Sequence, residues 1–209
     1  LFGIWTGRPL IGLLNTLQNQ IQCDFYILST GALIVDKDLK EIFSKPLDYE
    51  LAYDLWMQYK DLYNMVFQID GKVYTLGEHI PFPIKQIYVD DFTYFKDKSI
   101  MGIAIQCKSD EEAHSTVKDI MNEYDVSAVS KSFYVDVIHK GCNKGSAIKE
   151  LKNIYKIDTM MAIGDEHNDI DMLKEADLSF SFTYSPDKVK ESSTYVVNSI
   201  EEAIKKINL

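Results

Sequence analysis

The stretch Met160 to Met172 narrows the folds open to this 209-residue chain more than any other. Met160-Met161-Ala162-Ile163 is continuously apolar, the pattern of a strand buried on both faces of a parallel sheet, and it runs straight into Gly164, where the backbone can turn tightly. Asp165 follows at the carboxyl end of that strand, where open α/β sheets bind ligands. Asn168 and Asp169 stand just before a helical run, Ile170 to Ala176, so their oxygens can cap the helix and face the loop that carries Asp165. These three oxygen ligands suit Mg²⁺, which keeps several waters and takes one or two carboxylates together with substrate phosphate. A plain strand-to-helix junction fits the same residues, with Asp165 in the turn and Asp169 at the positive end of the helix dipole.

The surrounding pattern is α/β at both ends. Leu1 to Trp5 reads as a short apolar strand. A polar turn, Thr6-Gly7-Arg8-Pro9, leads into an apolar helical spacing at Leu10, Leu13, Leu14 and Leu17. Asp24 to Ser29 is a second buried strand, returning through Ala32 to Val35 to a turn at Asp36-Lys37-Asp38. The middle changes character. Asp48 to Tyr63 and Ser109 to Tyr124 read as helices, Met65 to Ile69 and Lys72 to Leu76 as a hairpin about Asp70-Gly71, and Ile100 to Cys107, Val126 to Val129 and Phe133 to Ile138 as further strands. That is an α+β module with largely antiparallel strands, inserted between two parallel segments. Beyond Gly141, helix and strand alternate again: Lys144 to Tyr155, Met160 to Ile163, Ile170 to Ala176, Leu178 to Phe182, and a closing helix from Ser199 to Ile207.

Composition removes several functions. The 46% hydrophobic content can fill a proper core, and a net charge of −10 without a basic run argues against a nucleic-acid partner. Cys23, Cys107 and Cys142 are isolated in sequence and read as reduced, buried thiols. No apolar run reaches the roughly 18 residues that a transmembrane helix needs, and the start lacks a signal-peptide pattern, so a cytoplasmic location away from membranes is expected.

Two more segments carry chemistry. At Thr6-Gly7-Arg8, backbone N–H groups and the Thr6 hydroxyl could hold a phosphate oxygen, although an ordinary helix start has the same residues. Lys144 opens a helix, where the dipole disfavours a cation, so an anion such as phosphate would compensate it; a solvent-facing lysine is the plainer alternative.

Taken in order, Thr6-Gly7-Arg8-Pro9, Ser29-Thr30-Gly31-Ala32, Asn143-Lys144-Gly145 and Gly164-Asp165-Glu166-His167-Asn168-Asp169 resemble the motifs of haloacid-dehalogenase-superfamily phosphatases, specifically the Cof-type branch with its C2 (type IIB) cap. The likeness covers essentially the whole chain. It implies a Rossmann-like core with a parallel sheet, residues 1–43 and 140–209, and an inserted α+β cap, residues 44–139. It implies that Thr6 bonds the transferring phosphoryl group, that Lys144 neutralises phosphate and nucleophile, and that Asp165 binds Mg²⁺, with Asn168 and Asp169 completing or orienting the metal shell. Gly7, Arg8, Thr30, Lys144 and Asn168 fall on the substrate side. Thr30 and Tyr184 stand where the family commonly has asparagine, and Trp5 where a small residue is typical.

That family's nucleophile is the first aspartate of an Asp-x-Asp motif on a strand upstream of Thr6. Asp36-Lys37-Asp38 reads as a turn, Asp169-Ile170-Asp171 belongs to the metal motif, and Asp70 lies in the cap. The expectation is a trailing part of a longer polypeptide, inactive by itself, whose missing strand would sit in the middle of the core sheet; the opening Leu1 agrees. The implied function is Mg²⁺-dependent hydrolysis of a small phosphomonoester, a sugar phosphate or similar metabolite, through an aspartyl-phosphate. The alternatives are a non-catalytic phosphate-binding protein and a phosphomutase. Among the remaining residues, Tyr49, Tyr53, Trp56 and Tyr63 could floor a substrate pocket but are better explained as a helix face packed on its own sheet. His79 and His114 show no ligand spacing, while His139 and His167 flank the two core motifs, where His167 reads as an exposed loop histidine rather than a contact to a leaving group.

Overall fold

The computed structural model describes residues 1–18, 20–77, 82 and 84–207, and it divides into two compact units, Leu1–Cys142 and Asn143–Leu209. His79 lies outside the described residues.

The first unit begins with a four-stranded sheet, β1 (Gly3–Trp5), β2 (Phe25–Leu28), β3 (Leu33–Asp36) and β4 (Glu41–Ser44), in that order. β1 and β2 are parallel and joined through helix α1 (Leu10–Leu17), whose Leu13 packs with Leu28, Leu33 and Val35. β2 and β3 are antiparallel about a buried turn, Ser29–Gly31. The expected turn at Asp36 forms because its carboxylate accepts the N–H groups of Asp38 and Lys40 at 2.9 Å each. β4, a mixed-polarity strand, has no period that would single it out in the sequence.

A six-stranded sheet follows, built from β5 (Asn64–Ile69), β6 (Lys72–Leu76), β7 (Gln86–Val89), β8 (Ile100–Gln106), β9 (Val126–Lys131) and β10 (Tyr134–His139) in the order β7-β6-β5-β8-β10-β9. All its pairs are antiparallel except β6 with β7. Helices α2 (Tyr49–Tyr59) and α3 (Asp110–Glu123) cover one face, where Ala52, Leu55, Ala113 and Ile120 meet Phe67, Ile103, Ile105, Val135 and Val137. Each helix starts on a side-chain cap, Asp48 and Ser109. α2 stops at Tyr59 rather than continuing to Tyr63, because Tyr63 turns back to stack on Tyr59 and donates its hydroxyl to Glu112 at 3.1 Å. Tyr49, Tyr53 and Trp56 surround Phe92 at centroid distances of 5.4, 5.3 and 5.2 Å, so these aromatic residues are packing, as their spacing implies. On the opposite face, Val66, Val73 and Ala104 meet Ile11, Phe82 and Ile84.

The second unit is a β/α alternation: α4 (Lys144–Tyr155), β11 (Met161–Ile163), α5 (Ile170–Glu175), β12 (Leu178–Phe182), α6 (Asp187–Lys190), β13 (Tyr195–Val197) and α7 (Ile200–Ile207). Its three strands are parallel in the order β11-β12-β13. β11 departs from expectation. Met161 is 44% exposed, and among the described residues β11 pairs only with β12, so it is an edge strand and not one buried on both faces. Cys23, Cys107 and Cys142 are buried, as expected, and none of them forms a disulfide among the described residues. No helix among the described residues is long and apolar enough to cross a membrane.

Candidate active site

In the second unit the site is organised by Asp169. After β11, the Gly164 N–H donates to Phe180 O at 3.0 Å, holding the turn against β12. A 3-10 turn, His167–Asp169, then brings the Asp169 carboxylate back under the loop. Its Oδ2 accepts the N–H groups of Asp165 at 3.0 Å and Glu166 at 2.9 Å, and its Oδ1 accepts the Lys144 ammonium at 2.5 Å. Asp169 therefore caps the turn behind it and makes no side-chain cap to α5, contrary to the forward capping expected from sequence. The reason is steric as well as electronic. A Cβ on Gly164 would lie 2.6 Å from Asp169 Cβ and 2.7 Å from its Cγ, so glycine is what lets the carboxylate reach the loop.

Lys144 and Asp169 retain side-chain exposures of only 11% and 8%. The anion that compensates Lys144 at the start of α4 is thus Asp169, and the solvent-facing lysine does not hold. Asn143 caps α4 through Ser146, and its amide donates to Asp171 at 3.1 Å. Gly145 admits close packing of α4 on α5, since a Cβ there would lie 2.9 Å from the Asp171 carbonyl oxygen. With Asp169 committed, Asp165 keeps a half-buried carboxylate and Asn168 an exposed amide. The Tyr184 ring stacks on Phe182 at 5.1 Å, and its hydroxyl reaches Asp165 Oδ2 at 3.5 Å. Desolvation, helped by the Asp165 charge, pushes the Tyr184 phenol up.

In the first unit the Thr6 loop is pinned from both sides. Thr6 N donates to Ile27 O at 2.9 Å, Thr30 N to Thr6 O at 3.4 Å, and Ser29 N to Arg8 O at 3.1 Å. The Thr6 hydroxyl accepts the Arg8 N–H at 3.1 Å, which closes a local turn and leaves its own proton to donate. Pro9 is the N-cap of α1. The Arg8 guanidinium bonds Thr16 one helical face along α1. Ser29, Thr30 and Gly31 all have positive φ, at 47°, 54° and 97°. For the β-branched Thr30 this is a strained backbone, held in place by burial and by the Ser29 hydroxyl donating to Gln68 at 2.7 Å.

Sequence reading missed Asp136, on β10. A Cβ on Gly7 would stand 3.1 Å from Thr30 Oγ1 and 3.4 Å from Asp136 Oδ2, so this carboxylate borders the Thr6 loop. Burial pushes its pKa up to about 7, against a smaller opposing pull from Lys131. The available signal was a lone acid in an apolar alternation, Val135-Asp136-Val137.

The donor set suits a hard, oxygen-preferring cation in part. No group of three His, Cys, Asp or Glu side chains among the described residues forms a ready cage. Asp165 supplies one carboxylate, which matches an ion that takes few protein ligands and completes its shell from water and phosphate.

Comparison with known proteins gives a consistent result. A sequence profile of the haloacid dehalogenase-like hydrolases matches residues 1–206. The putative phosphatase YxeH of Bacillus subtilis is 26% identical over 218 residues, covering 94% of this chain and 80% of that protein. The 5-amino-6-(5-phospho-D-ribitylamino)uracil phosphatase YcsE of the same organism is 24% identical over 208 residues, covering 97% and 78%. Among solved structures, the subclass IIB sugar phosphatase BT4131 superposes with a TM-score of 0.78 at 22% identity, covering 99% of this chain and 85% of that one, which speaks for the fold.

Proposed function

The chain belongs to the haloacid dehalogenase-like hydrolase family, and on that premise we propose that it serves Mg²⁺-dependent hydrolysis of small phosphomonoesters. The observation that carries this reading is the Asp169 arrangement, which holds a mostly buried ammonium and presents the Asp165 carboxylate from one rigid turn. Phosphoryl transfer needs positioning and charge stabilisation above all, and a desolvated lysine beside a carboxylate supplies both. The names of its relatives YxeH and YcsE, both phosphatases, and of the sugar phosphatase BT4131 support the same activity.

In this reading Thr6 donates its hydroxyl proton to a phosphoryl oxygen, with the neighbouring Gly7 backbone allowing close approach. Lys144 offsets the charge of the phosphate, and Asp169 holds Lys144 in place while orienting the Asp165 loop. Asp165 and Asn168 would hold Mg²⁺, which when bound neutralises phosphoryl charge. Residues 1–43 and 140–209 would form the catalytic core, and residues 44–139 the cap that selects the substrate. The nucleophile is not assigned to a residue of this chain.

The test, made on an intact enzyme that includes the nucleophile, is phosphate release from a panel of phosphomonoesters with and without Mg²⁺. Lys144→Ala and Asp165→Ala should each lower turnover by at least about a hundredfold, the scale of one transition-state charge contact. Turnover unchanged in both variants, or independent of added Mg²⁺, would remove the proposed roles. Isomerised phosphate in place of free phosphate would identify a mutase instead.

A further inference from the structure

Along β10, Val135 and Val137 are fully buried against the cap helices, so Tyr134, Asp136 and Ile138 stand on the opposite face of the sheet. There Asp136 lies between Ala104 of β8 and Val129 of β9. The same face receives the loops of the four-stranded sheet. Gln68 accepts the Ser29 hydroxyl, Ile138 packs with Ala32, and Gly7 is in contact range of Asp136 and Thr30 together. Any side chain at position 7 would press on both, so the loop and the carboxylate border one small space.

An acid in this place is costly to the fold. Asp136 is half-buried, its strand neighbours are Ala104 and Val129, and among the described residues its carboxylate makes no hydrogen bond. The charged group acting on it is Lys131. A half-buried carboxylate that borders Gly7 and Thr30 Oγ1 keeps acceptor oxygens within reach of a ligand held at the Thr6 loop.

We propose that Asp136 reads the organic part of the substrate by accepting a hydrogen bond from a hydroxyl of a sugar or polyol phosphate whose phosphate lies at the Thr6 loop. This rests on the phosphatase reading and deepens it. A carboxylate is a strong acceptor for a hydroxyl, and the pair needs no compensating charge. A phosphoester with a second carboxylate in the same position would set two like charges against each other in a poorly solvated place, so such substrates are turned away. The selected class is therefore hydroxylated, with an organic part that carries no negative charge.

The test uses the full chain at pH 8 with Mg²⁺, titrated calorimetrically with ribitol 5-phosphate, glucose 6-phosphate, phosphoglycolate and inorganic phosphate. The wild type should bind at least one of the two hydroxylated esters about tenfold or more tightly than phosphoglycolate, the worth of one charge-assisted hydrogen bond. Asp136→Ala should abolish that preference by weakening the hydroxylated ester and leaving phosphoglycolate equal or tighter. The nearly isosteric Asp136→Asn, which keeps an acceptor without the charge, should restore part of the affinity and guards against a folding defect in the alanine variant. A preference for phosphoglycolate in the wild type, or a ratio unchanged in both variants, overturns the proposal while leaving the phosphatase reading in place. Absence of binding by all four phosphates overturns the phosphatase reading, and the proposal with it.

Discussion

Asp169→Ala should be among the most destabilising single changes in the second unit, and the structure sets its scale. The Lys144–Asp169 pair spans 2.5 Å with side-chain exposures of 11% and 8%, so removal of one partner leaves a largely desolvated charge behind. That situation costs about 3–5 kcal/mol, whereas replacing both partners by apolar groups costs far less. Asp169→Ala also strips the acceptor from the Asp165 and Glu166 N–H groups, which Lys144→Met does not. The expected order is therefore Asp169→Ala worst, Lys144→Met intermediate, and the double variant less damaging than the sum by about 1.5–3 kcal/mol of coupling. Urea unfolding followed by far-UV circular dichroism gives the three energies. The native protein's tryptophans, Trp5 and Trp56, both lie in the first unit and would not follow the second directly. Amide exchange at Asp165 and Glu166 adds a local readout, with protection falling sharply in both variants that lack Asp169. Additive single-variant costs, or a cost below about 0.5 kcal/mol for Asp169→Ala, would refute the view that this carboxylate is the keystone of the loop.

Three other outcomes follow from the same geometry. Gly164→Ala places a methyl 2.6 Å from Asp169 Cβ and should cost about 1–3 kcal/mol by overpacking, with loss of amide protection at Asp165 as its signature; wild-type protection would contradict it. Ser29→Ala removes the donor to buried Gln68 and should cost about 1–3 kcal/mol in urea unfolding, while a Ser29→Ala/Gln68→Leu double variant should recover part of that loss. Asp136 makes a pH prediction. Its carboxyl holds its proton up to about 7 when folded and only to the ordinary aspartate value of 3.8 when unfolded, so the native state binds more protons between those limits. Stability contributed at this site therefore falls as pH rises from about 4 to about 7 and levels off above. The full shift of about 3 units corresponds to a ceiling of about 4 kcal/mol, and partial solvent access halves this to about 2. Asp136→Asn should accordingly be more stable than the wild type at pH 8 and nearly equal at pH 4, and a gain independent of pH would show that the charge is not the cause.

The order of elements was legible because it depends on local rules. The hairpin about Asp70-Gly71, the helix from Lys144 to Tyr155 and the turn at Asp36 follow from apolar period, turn chemistry and capping, each confined to a few neighbouring residues. The same rules located Asp165 and Lys144 as charged residues at element ends. They could not show that Lys144 meets Asp169 across 25 positions, because a partner for a buried charge is chosen by packing and not by spacing. They missed β4, β7 and β13, short strands whose pairing comes from neighbours in the sheet. They also placed β11 inside a sheet, since an apolar run reads the same whether one edge is paired or two.

Sequence by itself therefore determined the α/β alternation, the inserted antiparallel module and the residue types available for phosphate chemistry. Tertiary structure alone decided that Asp169 serves as the anchor of its own loop, that Gly164 is small because a carboxylate lies against it, and that Asp136 borders Gly7 from a distant strand. The physical reason is one of range. Propensity and capping act within a turn or two of the chain, whereas desolvation and charge pairing act through space between segments that only folding brings together.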